Sequence, residues 1–299
     1  MDDGSDAECH IKGNFRIRGI RSTNPVAVGD FVEVQTLTDG TKWITEIEDR
    51  KNYIIRKSTN LSKESHILAA NIDQVALIVT INHPATSTTF IDRFLATCEA
   101  YRVRAILIFN KIDLLTDEEL AQLADLRALY ESIGYETVEL SAISLQPSVI
   151  LPLLEGKTTL LSGNSGVGKS TLLNALFGRE MTRTGKISDA HDKGMHTTTF
   201  SEMYFLEEAK SQEPRAKSCI IDTPGIKGFG TIDFEKEEVS HYFREIFKVG
   251  RDCRFGNCTH THEPGCAVQE ALITGDIAIS RYESYLSMLN DTTEGKYRA

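Results

Sequence analysis

Three short stretches of this chain carry residue types whose spacing suits defined chemistry. Residues 163–170 read GNSGVGKS, a full match to G-x-x-x-x-G-K-[ST]. Gly163, Gly166 and Gly168 let the backbone fold tightly. The N–H groups of the loop, which also holds Asn164, Ser165 and Val167, then converge on phosphate oxygens at the start of a helix that continues through Thr171. Lys169 adds a mobile positive charge for the β- and γ-phosphates, and Ser170 a hydroxyl for Mg²⁺. The second stretch, Asn110-Lys111-Ile112-Asp113, directly follows an apolar run ending at Phe109. A carboxylate at a strand's carboxyl end, where ligands bind in α/β sheets, can accept both N–H groups on one edge of guanine. Adenine presents the wrong donor–acceptor pattern. Asp113 therefore reads the base, Asn110 and Lys111 hold the loop and cover the ring, and Ser141-Ala142 offers a backbone N–H to the guanine oxygen. The third stretch gathers Cys253, Cys258, His260, His262 and Cys266 within 14 residues. Three thiolates and one imidazole suit a tetrahedral structural Zn²⁺ with no open position; spacing alone leaves both histidines open.

Two further segments complete the phosphate chemistry. In CIIDTPG at 219–225, Asp222 suits a water-mediated Mg²⁺ contact and the Gly225 N–H a γ-phosphate. The segment Gly194-Met195-His196-Thr197-Thr198-Thr199 can lend Mg²⁺ a threonine hydroxyl; Thr198 is favoured, with Thr197 and Thr199 open. The residue after Gly225 is Ile226, which can neither donate nor accept a hydrogen bond, where many GTPases carry a water-orienting glutamine. Slow intrinsic turnover is expected, with His196 the best candidate to hold the water.

These motifs need elements to position them. Residues 11–57 read as short strands, among them Phe15–Ile20, Phe31–Thr36 and Lys42–Glu48, separated by turn dipeptides such as Asp39-Gly40. That pattern predicts a small antiparallel barrel or sandwich. From about residue 70 the pattern alternates. Strands are expected at Asn71–Ile81, Val103–Phe109, Glu136–Leu140, Thr158–Ser162, Phe200–Leu206 and Ser218–Asp222, and helices at Thr89–Tyr101, Asp117–Ile133 and Lys169–Phe177. Alternating strands and helices imply an α/β sheet. Beyond Phe234 the pattern is helical, broken by the Cys/His-rich loop at 253–266.

Composition narrows the classes. The 299 residues are 40% hydrophobic and 25% charged, with a net charge of -10. Taken alone, that acidity argues against a protein that coats nucleic acid electrostatically. The charge is unevenly placed: residues 1–9 sum to -4, 10–63 to +4, 64–240 to -9 and 241–299 to -1. The basic excess thus sits in the N-terminal module. No apolar run approaches the roughly 20 residues of a membrane span. The acidic start MDDGSDAECH predicts no secretory leader.

The base-reading motifs precede the phosphate loop, and DTPG follows it, an order unlike that of an ordinary GTPase. In this order, and in IRSTNPVAVGDFVEV, GMHTTT and CRFGNCTHTHEPGCAV, the chain resembles the bacterial circularly permuted, ribosome-small-subunit-dependent GTPases over essentially its whole length. The resemblance implies three domains: an OB-fold β-barrel at 1–63 that binds RNA, a permuted P-loop α/β GTPase at 64–236, and a mostly helical zinc-binding domain at 237–299. Family members carry an extra strand before the region matching Glu8–Arg18, and the barrel here is expected to lack it. The resemblance selects His260 as the fourth zinc ligand and points again to His196. It implies GTP hydrolysis stimulated by the 30S subunit during its late maturation, contact with 16S rRNA, and release on hydrolysis. It also implies a cytoplasmic monomer that uses Mg²⁺ with GTP or GDP and one structural Zn²⁺, with no membrane partner. The alternative is a non-hydrolysing, GTP-sensing RNA-binding module, motivated by Ile226. A nucleotide-dependent RNA-modifying enzyme is less suited, since no separate catalytic dyad or cofactor loop stands outside the GTPase motifs.

Overall fold

Apolar runs bounded by turn residues become strands, and stretches of helical period become helices, through residues 6–11, 25–57, 65–143, 149–178, 201–206, 218–222 and 235–294 that the computed structural model describes. The expected strand Phe15–Ile20 lies outside them. In chain order come β1 (His10–Ile11), β2 (Val32–Thr36), β3 (Lys42–Ile47), β4 (Tyr53–Lys57), β5 (Ser65–Ala70), β6 (Gln74–Val79), α1 (Thr88–Ala100), β7 (Arg104–Phe109), α2 (Asp117–Ser132) and β8 (Glu136–Glu139). They continue with α3 (Leu151–Leu154), β9 (Thr158–Ser162), α4 (Lys169–Phe177), β10 (Glu202–Phe205), β11 (Cys219–Asp222), α5 (Arg244–Gly250), α6 (Ala267–Thr274) and α7 (Ile279–Glu294). No helix among the described residues is long and apolar enough to cross a membrane.

Two units divide the chain. The first takes Met1–Ile78 and Ser141–Gly230. Within it, β6, β9 and β11 run parallel and β10 closes the edge antiparallel, in the order β10-β11-β9-β6. β6 is buried along its whole length, as strands covered on both faces are. Its one polar residue in this unit, Gln74, donates to the Leu153 carbonyl at 2.7 Å and to Thr159 Oγ1 at 3.0 Å. A smaller sheet has the order β1-β3-β2, with β1 parallel to β3, and β4 pairs antiparallel with β5. The strand at β5 has no counterpart in the sequence reading. Its run SHILAA is rich in helix formers, and its partner β4 supplies the pairing that propensity does not reveal. The turn before β2 presses onto β5 at Gly29, where an added Cβ would sit 2.1 Å from the Ala70 carbonyl oxygen. Only glycine permits that approach, and its φ of +92° is one that L side chains resist. Asp73 ties the neighbourhood together: one carboxylate oxygen accepts from the Thr158 N–H at 2.8 Å and the other from Lys51 Nζ at 2.8 Å.

The second unit takes Val79–Leu140 and Thr231–Ala299. β7 and β8 pair parallel, Ile106 opposite Glu136 through Phe109 opposite Glu139. The start of α2 carries a capping box: Thr116 Oγ1 accepts from the Glu119 N–H, and the Glu119 carboxylate accepts from the Thr116 N–H. The C-terminal helices share an apolar cluster with α1 that includes Ala96, Phe243, Ile246, Val268, Tyr285 and Leu289.

A buried ionic group runs through that unit. Asp92 on α1 and Arg281 on α7 are both almost wholly buried, and Arg281 Nη1 donates to Asp92 Oδ1 at 2.8 Å. The same guanidinium forks onto Glu245 of α5, Nε to Oε1 at 2.6 Å and Nη2 to Oε2 at 3.1 Å, and lies 4.9 Å from the Phe243 ring centroid. Tyr130 of α2 and Ser284 of α7 donate to the two Asp92 oxygens at 2.8 and 2.6 Å. Desolvation pushes the Asp92 carboxyl above its ordinary range, against the pull of Arg281 and these hydrogen bonds. Removing one partner of such a group leaves an uncompensated buried charge. Arg281→Ala is therefore expected to cost about 3–5 kcal/mol, read from the shift of the urea transition. Tyr130→Phe, which removes one of several donors to Asp92, is expected to cost only about 1 kcal/mol.

Candidate functional site

The phosphate-type loop is built where β9 ends. Gly163, the first residue past the strand, lies against β6: a Cβ there would meet the Ile78 carbonyl oxygen at 2.4 Å and Val167 Cγ2 at 3.1 Å. Gly163, Gly166 and Gly168 all take positive φ, at 145°, 83° and 102°, conformations suited to glycine. Val167, fully buried, anchors the loop from below, and Leu172 and Leu173 bury the inner face of α4. Gly168 stands just before the first helical residue, Lys169. The Lys169 ammonium folds back into the turn and donates to the Gly163 and Asn164 carbonyls, both at 2.7 Å. Burial draws its pKa below the ordinary lysine range, and the negative charge of Asp222 opposes that shift. Asp222 itself is buried, the last residue of β11 and opposite Leu161 of the parallel strand β9. Ser170 and Thr171 are half-buried in the first turn of α4, and Asn164 is half-buried while Ser165 and Gly166 are exposed. Ser141 is half-buried and Ala142 buried.

In the second unit, Asn110 is buried just past β7, and its N–H donates to the Val79 carbonyl at 2.9 Å. Lys111 takes a left-handed conformation with φ of 65°, an uncommon choice for a residue with a long side chain. Its ammonium donates to the His83 carbonyl. Asp113 is exposed in the short 3₁₀ turn Ile112–Leu114. The Leu140 N–H donates to the Phe109 carbonyl at 2.9 Å, so the end of β8 lies beside the end of β7. His196, Thr197, Thr198, Thr199, Gly225 and Ile226 lie outside the described residues.

The same unit holds a group suited to a metal ion. The ligand atoms of Cys253, Cys258, His260 and Cys266 all lie within 4.8 Å of one another. His260 Nδ1 is 3.5 Å from both Cys253 Sγ and Cys266 Sγ, and those two sulfurs are 3.9 Å apart. Tetrahedral bonds of about 2.3 Å to sulfur and about 2.0 Å to nitrogen give edges of about 3.8 Å and about 3.5 Å, so the donor set fits such an ion. His262, by contrast, is exposed and hydrogen-bonded to Thr261 Oγ1.

Several groups that the motif reading did not single out hold this set in place. The loop folds around the Glu263 carboxylate, whose oxygens accept from the N–H groups of Thr259, Thr261 and His262 at 2.8, 3.0 and 3.1 Å. Desolvation raises the Glu263 pKa, but the Thr259 hydroxyl and the N–H groups of Thr259, His262 and Glu263 itself pull it well below the carboxylate range. Gln269 Nε2 and the Tyr282 hydroxyl both donate to the His260 carbonyl, at 2.6 and 2.7 Å. Gly250 leaves room for the imidazole: a Cβ there would lie 3.0 Å from His260 Cε1. The acid immediately after THTH was the available signal for Glu263; nothing local pointed to Gly250 or Gln269.

Comparison with known proteins agrees with these features. A family model described as RsgA GTPase matches residues 47–232. The chain is 59% identical to the "Small ribosomal subunit biogenesis GTPase RsgA" of Phocaeicola vulgatus, over 100% of this chain and 94% of the relative. It is 60% identical, with the same coverage, to the "Small ribosomal subunit biogenesis GTPase RsgA 2" of Bacteroides thetaiotaomicron. Among solved structures, that of YjeQ from Thermotoga maritima matches with a TM-score of 0.72 at 32% identity, covering 95% of this chain and 89% of that one. The structure of YloQ, described as a circularly permuted GTPase, matches with a TM-score of 0.69 at 27% identity, covering 99% and 90%. The fold is that of a permuted GTPase, with the motif order of the sequence reading.

The metal group makes a prediction of defined sign. Burial pushes the Cys258 thiol up to about 12 and raises Cys266, while it lowers His260. Without metal Cys258 and Cys266 hold their protons near neutral pH, so an incoming ion must displace them. Affinity for Co²⁺ is therefore expected to fall as pH falls, by up to roughly a hundredfold per pH unit as those two protons are displaced. Thiolate-to-Co²⁺ absorption measures this directly. It is expected to vanish in Cys258→Ser and to persist in His262→Ala.

Proposed function

We propose, from the premise that this chain belongs to the RsgA GTPase family, that it hydrolyses GTP on the small ribosomal subunit during the subunit's late maturation, the subunit accelerating hydrolysis and hydrolysis releasing the protein. The observation that carries this reading is likeness to relatives named for small-subunit biogenesis over the full length of the chain. The residues fit the chemistry. Backbone N–H groups from Gly163 to Thr171 hold the phosphates, and Lys169 exchanges its two loop carbonyls for β- and γ-phosphate oxygens. Asp113 accepts from the guanine edge, Asn110 and Lys111 flank the ring, and Ser141 and Ala142 meet the guanine oxygen.

A buried carboxylate at Asp222 near the Lys169 charge, with the Ser170 hydroxyl in the first turn of α4, fits a hydrated Mg²⁺, which Thr198 would also contact. When bound, Mg²⁺ neutralises charge on the β- and γ-phosphates. Gly225 meets the γ-phosphate through its N–H. Since Ile226 offers no polar group, His196 holds the attacking water. The ion in the Cys253, Cys258, His260, Cys266 group is a structural Zn²⁺: three thiolates and one imidazole are its ordinary set, and no position is left open for catalysis. Residues 1–63 form an OB-fold that meets 16S rRNA with its basic excess, 64–236 the GTPase domain and 237–299 the zinc domain. The protein works in the cytoplasm as a monomer.

Phosphate release from GTP and from ATP, each with and without purified 30S subunits, tests the reading. Release is expected from GTP alone and is expected to rise at least about tenfold with subunits. Equal rates with and without subunits would overturn the reading. His196→Ala is expected to lower the stimulated rate on the order of a hundredfold while leaving GDP affinity intact. Lys169→Ala, in contrast, is expected to weaken nucleotide binding itself.

A further inference from the structure

Lys111 is held by a chain of polar contacts that no part of the nucleotide reading uses. Its ammonium donates to the His83 carbonyl, in the loop that follows β6. That carbonyl is itself fixed. The His83 N–H donates to Asn82 Oδ1 at 2.9 Å, and Asn82 Nδ2 donates to Glu119 Oε1 at 2.7 Å. The other Glu119 oxygen accepts from the Thr116 N–H at 2.9 Å, the reciprocal half of the α2 capping box. The far side of the loop is closed by the Thr80 hydroxyl, which donates to the Pro84 carbonyl at 2.5 Å, and by the Thr86 N–H, which donates to the Thr80 carbonyl at 2.9 Å. The Asn110 bond to Val79 sets the two loops side by side.

This arrangement has a physical consequence for a lysine whose task is to cover an aromatic ring. A four-carbon stem lies flat against an apolar face only when its ammonium has a polar partner beyond that face. A free lysine also loses roughly 2 kcal/mol of rotamer entropy when it is fixed. An acceptor already held in place removes part of that loss before the base arrives. Lys111, with a left-handed φ of 65°, makes this bond from the turn that follows β7.

We infer that Asn82 and Glu119 are positioning residues for guanine-nucleotide affinity, acting through the His83 carbonyl to hold Lys111 across the base. The inference rests on the reading of Asn110–Asp113 as the base-recognition segment. It ties the Glu119 carboxylate, in the first turn of α2, to nucleotide affinity.

A thermodynamic cycle with fluorescently labelled GDP on the full chain tests it. Asn82→Ala is expected to weaken GDP binding roughly three- to tenfold, the scale of one hydrogen bond, chiefly through faster dissociation. In a Lys111→Ala background the same substitution is expected to change affinity by less than about 1.5-fold, since the group it positions is gone. Thr116→Ala removes the other half of the capping box and controls for loosening of α2. It is expected to lower the melting temperature and leave GDP affinity unchanged. An Asn82→Ala effect that is absent, or equal in both backgrounds, overturns the inference. The base reading has its own control: Asp113→Asn is expected to shift preference from GDP to XDP, whose ring offers an acceptor where guanine offers an amino group. A preference that does not move overturns that reading and the inference with it. A preference that moves while Asn82→Ala is silent overturns the inference alone.

Discussion

Because β6, β9 and β11 run parallel, they deliver their last residues to the same edge of the sheet, and the groups with proposed phosphate chemistry stand at or just past such ends. Gly163 follows β9, and Asp222 ends β11. In the second unit β7 and β8 pair parallel too, with Asn110 just past the one and Leu140 just past the other. A ligand at strand ends meets loops, not connections, and so tolerates a chain whose ends have been cut and rejoined elsewhere. That is how the proposed base-recognition segment can precede the proposed phosphate loop in sequence. The same packing sets a steric demand, since Gly163 lies so close to the Ile78 carbonyl that no side chain fits.

The C-terminal helices are held by two devices of different kinds. One is the Cys253, Cys258, His260 and Cys266 group, whose loop is short and has few apolar residues to bury, so an ion held there would contribute much of its folding free energy. The other is the Asp92–Arg281–Glu245 group beneath the apolar cluster. A buried ion pair adds little net stability over a well-packed apolar alternative, yet losing one member is costly. Its value here is directional. A planar guanidinium that forks onto Glu245 and reaches Asp92 admits few relative settings of α1, α5 and α7, whereas an apolar cluster admits many. The two devices touch neighbouring elements: Tyr285 packs in the apolar cluster, and its hydroxyl donates to the Thr259 carbonyl in the metal loop at 2.7 Å.

Legibility followed the range of the interactions. The strand Thr158–Ser162 and the helix Lys169–Phe177 stand where the residues placed them, because apolar period, glycines and helix start are written contiguously. The α1 and α2 ends shifted by a single residue, at the scale of capping detail. β5 was not legible, since its pairing with β4 outweighs a helix-favouring composition. Nor was the role of Arg281. On a helix with polar neighbours it reads as a solvated charge, and only packing reveals it as one of the most buried side chains.

What the sequence by itself determined is the sets of residues whose proposed chemistry needs neighbours a few residues apart: the glycines of the proposed phosphate loop, a lysine and a serine at its end, a carboxylate after a strand, and three thiols with two histidines. Spacing of that kind acts through local backbone geometry, which short stretches specify by themselves. What only the tertiary structure decided is which groups face one another across long stretches of chain. It set Arg281 against Asp92, 189 residues away, and Lys111 against the His83 carbonyl. Such contacts depend on the burial of whole helices and strands, a free energy summed over many residues, and no local spacing records it.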